Sequence, residues 1–123
     1  MGITMNRPFD FEGLFTLSAS HGVVTSGYQP QHALHENYQS SGRHTYPDHG
    51  LVRPGEMARV EVHLISPEVY PHCLWEGRVL DVLEGSRQVG TLEITRIATE
   101  GLLVAPESYK QLWEEPAELR GRL

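Results

Sequence analysis

Cysteine and lysine are nearly missing from this chain. Cys73 stands alone among 123 residues, which excludes an internal disulfide and fits a reducing compartment. Lys110 is the sole lysine, the other nine basic residues being arginine; guanidinium groups suit forked pairing with carboxylate or phosphate. No apolar run approaches the ~20 residues that span a bilayer, and the first residues lack the basic, apolar and small-residue pattern of a secretory signal. A cytoplasmic protein without membrane association is the expectation. There is also no Gly-x-x-x-x-Gly-Lys-Ser/Thr loop, so the backbone cradle and lysine that hold nucleotide phosphates are absent and GTP hydrolysis is not expected.

Carboxylates and turn formers are plentiful. Sixteen Asp and Glu against ten basic residues leave a net charge of −6, so no global field attracts phosphate backbones and nucleic-acid binding needs a local patch. A single domain of this length buries roughly 65% of its unfolded surface, enough for a core without staples.

Hydrophobicity alternates with a period of two over most of the chain, the signature of strands with one buried and one wet face. Phe9, Phe11, Phe15, Leu17 and Ala19 share a parity, with Gly13 in the stripe marking a bulge. Tyr28, Pro30, His32 and Leu34 share the face of a second segment, which Pro30 either opens or places at an edge because it has no ladder donor. Asn37 to Gly42 reads as a polar break. In Ala58 to Leu64 the apolar Ala58, Val60, Val62 and Leu64 alternate with Arg59, Glu61 and His63. Pro54-Gly55 sets the turn before this strand, while Pro67 and Pro71 prevent a helix after it. The pair Arg78 to Glu84 and Gln88 to Ile97 reads as a hairpin around Glu84-Gly85-Ser86-Arg87, with Leu80 and Val82 on one side and Leu92 and Ile94 on the other. Beyond Pro106, Glu107 to Glu115 contains helix formers and sets Tyr109, Leu112 and Trp113 at i, i+3 and i+4. Short strands with frequent turns imply a barrel or sandwich. The segments are an N-terminal stretch 1–8, a β-barrel domain 9–105 and a helical tail 106–123.

Four phrases follow one another along the chain: Gly27-Tyr-Gln-Pro-Gln31, Arg53-Pro-Gly-Glu56, the alternating strand ending in Ile65-Ser-Pro67, and Glu84-Gly-Ser-Arg-Gln-Val-Gly90. Their order resembles the C-terminal β-barrel domain of elongation factor Tu. There a Gly-Tyr-Arg-Pro-Gln strand, a Pro-Gly-Asp turn, an alternating strand ending in Pro and an Arg-Glu-Gly-Gly-Arg-Thr-Val-Gly turn occur in that sequence. The resemblance covers Phe9 to Ile97 and implies an all-β, six-stranded antiparallel Greek-key barrel, followed here by a short C-terminal helix, without the GTPase domain. It implies a non-enzymatic interaction module associated with translation, because the family's barrel holds tRNA and docks protein partners.

Two tRNA-facing places carry over by motif: Gln31, and the turn Glu84-Gly85 with nearby Arg87. Leu83 and Gln29 stand where the family has arginine, and Ser20-His-Gly-Val-Val-Thr-Ser26 replaces its Gly-Gly-Arg-His-Thr loop. Each lost arginine removes a phosphate contact and its counterion release, so RNA binding is the weaker alternative. A solitary barrel must re-polarise the face its companions would cover, or cover it with the tail, a protein partner or a second copy in a homodimer. Tyr109, Leu112 and Trp113 are accordingly either tail-packing or partner-anchoring residues.

Metal and catalytic chemistry find little support. His32 and His35 lie three apart on a strand and face opposite sides unless a bulge intervenes. His44 and His49, beside Asp48, read as loop residues, and no Cys-x-x-Cys or His-Glu-x-x-His spacing occurs. Surface histidines are the simpler reading. His72 and Cys73 are adjacent and diverge in an extended chain, which leaves Cys73 as a small buried hydrophobe. Glu76, Asp81 and Glu84 read as solvated strand positions. No catalytic residue, cofactor or metal site is expected.

Overall fold

A computed structural model describes residues 9–36 and 38–114; the stretch 1–8 and the part of the tail beyond Glu114 lie outside the described residues. The strands are β1 (Phe11–Leu17), β2 (Val24–Thr25), β3 (Gln31–His35), β4 (Tyr38–Thr45), β5 (Leu51–Val52), β6 (Met57–Leu64), β7 (Val79–Glu84) and β8 (Arg87–Ile97). Six of them close a barrel in the order β1-β6-β4-β3-β7-β8, every neighbouring pair antiparallel. Consecutive neighbours β3, β4 and β6 are followed by β7, which returns beside β3, and this gives the Greek-key connection. Strands β2 and β5 form a separate two-stranded ribbon.

The alternation read from the sequence supplies the core. Phe11, Phe15, Leu17, Val60, Val62, Leu80, Val82, Leu92 and Ile94 are all buried, one face of each strand pointing inward. The bulge expected at Gly13 lies instead on the facing strand: Glu12 pairs with Arg96 and Gly13 with Ile94, so Thr95 of β8 is the extra residue, while β1 runs in unbroken register against β6. A side chain at Gly13 would run into the Glu93 carbonyl. Pro30 opens β3: it lies just before Gln31 and its carbonyl accepts the Gly42 N–H. In the hairpin, Gly85 occupies positive φ (63°), a conformation that costs glycine little.

The polar stretch read as a break is instead largely strand. Tyr38–Thr45 pairs with β3 on one side and with β6 on the other from Gly42 onward. Serines and glycine have weak strand propensity, but a central position with two partners overrides it. Gly42 is required there, because an added Cβ would sit 2.9 Å from His32 Cε1 and 2.9 Å from Val62 Cγ1.

Asp10 went unnoticed in the sequence, yet it ties three strands together. Its buried carboxylate accepts the Leu64 N–H (2.7 Å) at the end of β6 and the Thr99 hydroxyl (2.6 Å) beyond β8. Its own N–H donates to the Val62 carbonyl (2.8 Å) and its carbonyl accepts the Ala98 N–H (2.9 Å). After Pro106 the chain makes one α-helical turn, Pro106–Tyr109, that widens into a π-turn over Lys110–Glu114.

Val62 lies fully buried on β6, between β1 and β4. Val62→Asp should therefore bury an unpaired carboxylate and lower stability by about 3 kcal/mol or more. Urea unfolding checks it; a wild-type midpoint would refute this register.

Candidate functional site

Three places bring polar or aromatic chemistry together: the barrel interior, one rim, and the seat of the tail.

The interior holds two histidines that the sequence suggested would be on the surface. His44 belongs to β4 rather than to a loop, and both it and His32 are fully buried. His32 Nδ1 lies 3.0 Å from the Ser40 carbonyl, its Nε2 2.8 Å from His44 Nε2, and His44 Nδ1 2.7 Å from the Tyr46 hydroxyl. A carbonyl only accepts, so His32 carries its proton on Nδ1 and its Nε2 must accept. His44 then donates from Nε2, and Tyr46 donates to His44 Nδ1. Both imidazoles are neutral and every ring nitrogen is satisfied. Phe11 and Phe15 meet His32 and His44 edge-on at 6.2 and 5.0 Å. Burial lowers His32 to about 4 and His44 well below its ordinary value, with His32 adding to the effect on His44. Burial likewise raises the Tyr46 phenol.

The rim collects the residues expected to face RNA. Gln31 pairs with Leu83, and Glu84 pairs with Arg87 across the Gly85-Ser86 turn, so all four stand at one end of the barrel. The Glu84 carboxylate, however, is held from behind. A single oxygen, Oε2, accepts from the Tyr28 hydroxyl (2.5 Å) and from His21 Nε2 (2.8 Å), while His21 Nδ1 meets the Gly22 carbonyl at 2.8 Å. With an acceptor at each nitrogen, His21 makes both bonds only as an imidazolium. Its pKa is raised accordingly, by the Gly22 carbonyl first and then by Glu84, while the Tyr28 and His21 bonds lower that of Glu84. His21 and Tyr28 also line an open groove of about 540 Å³ with Val24, Thr25, Ser26 and Gly27. Neither residue was singled out in the sequence as a neighbour of the turn; the long separation between them and Glu84 left no local signal.

The tail sits over a gap in the barrel wall. Strand β3 pairs with β7 only at Gln31 and His32, and beyond that the two diverge. Tyr109 fills the opening: it is buried and its hydroxyl donates to the Leu34 carbonyl (3.2 Å). Its ring lies 4.8 Å from the Arg78 guanidinium, which also covers Trp75 at 5.0 Å and donates to the Cys73 carbonyl. The Trp113 indole N–H donates to the His72 carbonyl (2.8 Å) and its ring lies against His35, tilted by 31° with centroids 4.2 Å apart. The three tail residues thus divide: Tyr109 packs inward, whereas Trp113 and Leu112 keep 40% and 46% of their surface exposed.

His35 is the second correction to the surface reading. It is buried beside Leu34 because the register of β3 against β4 shifts between Ala33 and His35, the bulge that strict alternation would not supply. Cys73 is buried as expected, its Sγ 3.1 Å from the Tyr70 carbonyl, and burial pushes the thiol up to about 12, far from a reactive thiolate. Among the described residues no three His, Cys, Asp or Glu side chains converge as metal ligands, and no helix is long and apolar enough to cross a membrane.

The buried imidazoles make stability depend on acid. A histidine held neutral in the fold but free to charge when unfolded costs nothing above its ordinary value of 6.5. Below it, the unfolded chain binds the proton and the native chain does not, so stability falls by about 1.4 kcal/mol per pH unit and histidine until the native value is reached. His32 alone should contribute a loss of about 3 kcal/mol by pH 4. Denaturant titrations between neutrality and about pH 4.5 should show this decline. A flat profile over that range would contradict the neutral His32–His44 pair.

No protein-family model matches the chain, and no curated protein matches it in sequence.

Proposed function

We propose that this barrel is a non-enzymatic interaction module that binds a protein partner through the face carrying its tail. The observation behind this reading is the exposed apolar surface gathered there. Tyr38 is 62% exposed and lies 6.4 Å from the His35 ring, which Trp113 also touches, with Leu112 exposed beside Trp113. Leu103 is likewise half exposed, its carbonyl 3.4 Å from the His72 ring whose backbone holds the indole. Aromatic side chains partly buried and partly open are the groups that dominate protein interfaces. The interior supports the non-enzymatic part, since His32, His44 and Tyr46 satisfy one another amid buried apolar side chains. The four phrases resembling the C-terminal barrel of elongation factor Tu support a role near the translation apparatus.

A second reading, weak binding of tRNA or other RNA, draws on the meeting of Gln31, Glu84, Gly85 and Arg87 at one rim beside a charged His21. The distribution of arginine argues against it. Arg59 is committed to Glu12 (2.7 Å) and Asp48 (3.0 Å), Arg78 to the rings of Trp75 and Tyr109, and Arg96 to the ring of Phe9. Of the described arginines, only Arg43 on β4, Arg53 between β5 and β6, and Arg87 on β8 stay outside those contacts. Phosphate affinity follows the number of cationic contacts to phosphate.

Capture from cell extract, with protein and RNA both identified, distinguishes the two. One enriched protein that is lost with Leu112→Ser and Trp113→Ser in a barrel that still melts normally is the expected result. Enrichment of tRNA that Arg87→Glu abolishes at low salt would replace the first reading with the second.

A further inference from the structure

From the geometry around His35 we infer that the tail is a proton-released latch: adding a proton to His35 Nε2 expels Tyr109 and Trp113 from the gap between β3 and β7. The Tyr109 hydroxyl has one proton and gives it to the Leu34 carbonyl, so the 3.0 Å contact between His35 Nδ1 and that hydroxyl must be donated by His35. His35 is therefore docked as the Nδ1–H tautomer. Its Nε2 is a buried lone pair with no hydrogen-bond partner among the described residues, and only 8% of the residue is exposed. A second proton would create a buried donor with no acceptor, in a ring already committed at its other nitrogen.

The groups facing His35 do not rescue that proton. Tyr38 on β4, Tyr70 after the turn Pro67–Val69, and Tyr109 and Trp113 on the tail meet its ring. The charged group that acts on it is Arg78, which opposes a second cation. The Arg78 Nη2 also lies 3.5 Å from the Tyr109 hydroxyl, so that oxygen already faces a second donor. Contact with the Trp113 indole favours an imidazolium, but burial and Arg78 act the other way and lower His35 to about 4. Once the tail lifts, the same imidazole meets water and recovers an ordinary value near 6.5. Docking should therefore weaken about tenfold for each pH unit below that value until the docked ring itself titrates. Residues that touch the barrel mostly through side chains can leave without breaking a strand ladder, and Pro106–Glu114 is such a segment. The inference concerns the free chain and does not depend on what binds this face.

The test follows the Trp113 indole N–H, bonded to His72 when docked, by heteronuclear NMR during an acid titration of the whole chain, with methyl groups of Val62 and Leu92 reporting the barrel. The expected result is movement of the Trp113 signal to its solvent-exposed position between about pH 6.5 and pH 4.5, while the methyl signals stay native. In His35→Phe, which keeps a stacking ring but cannot take a proton, the Trp113 signal should hold its docked position over that range. Should this variant not dock its tail at neutral pH, His35→Gln, which cannot charge either, makes the same comparison. A Trp113 signal that leaves only together with the core methyl signals, a measured His35 pKa above 6.5, or the same release in the uncharged variants would overturn the latch.

Discussion

A carbonyl oxygen cannot donate, and from the one at Ser40 the polarity of the barrel interior follows. His32 must give Nδ1–H to it, His44 must give Nε2–H to His32, and Tyr46 must give its hydroxyl proton to His44. Only with that order do two imidazoles and a phenol reside in a core of Phe, Val and Leu without an orphaned polar atom. The chain also links β3 to both ends of β4, so strand pairing and side-chain bonding demand the same register. Much else in the interior accommodates it: Gly42 has no side chain where His32 passes, and Phe11 and Phe15 present ring edges to the histidines. In a medium of low dielectric, such a chain is strong when complete and costly when one member is lost.

The wall around that core is closed but not uniformly knitted. Strand β1 is paired along its length with both β6 and β8, whereas β3 and β7 share only two residue pairs. The gap is sealed by side chains from beyond the barrel, above all Tyr109 with Arg78 spread over its ring. Seals of this kind depend on ring contacts and single hydrogen bonds rather than on a cooperative ladder, and such regions have the lower opening free energies of a fold. The least firmly knitted part of the barrel is thus also where its exposed aromatic surface lies.

The proposed function rests on the outside of this molecule. The rim and the tail face differ in how their groups are committed. At the rim, the carboxylate of Glu84 is drawn toward His21 and Tyr28, a clasp joining the β1–β2 and β2–β3 loops to the β7–β8 turn. At the tail, Trp113 and Leu112 are only partly used by their own chain. A group half satisfied within its own fold can still gain from a partner, which is why the tail face carries the proposed interaction.

The one-dimensional pattern was enough to determine which alternate positions of β1, β6, β7 and β8 are apolar and where the hairpin turns, because strand alternation is a local property; that the bulge beside Gly13 belongs to β8 was decided by strand pairing. It was also enough to identify an all-β barrel followed by a short C-terminal helix. It did not reveal β4, since serines, a glycine and a histidine become a central strand only through the partners on either side. Nor did it show that three histidines are buried: His32 and His44 are soluble in the core only as a mutually satisfied pair, and His35 is turned inward by a bulge that its own sequence does not announce. Asp10, Glu84 and Tyr109 have their chief partners dozens of residues away. What a polar side chain does depends on the acceptor it meets, and tertiary structure alone chooses that acceptor.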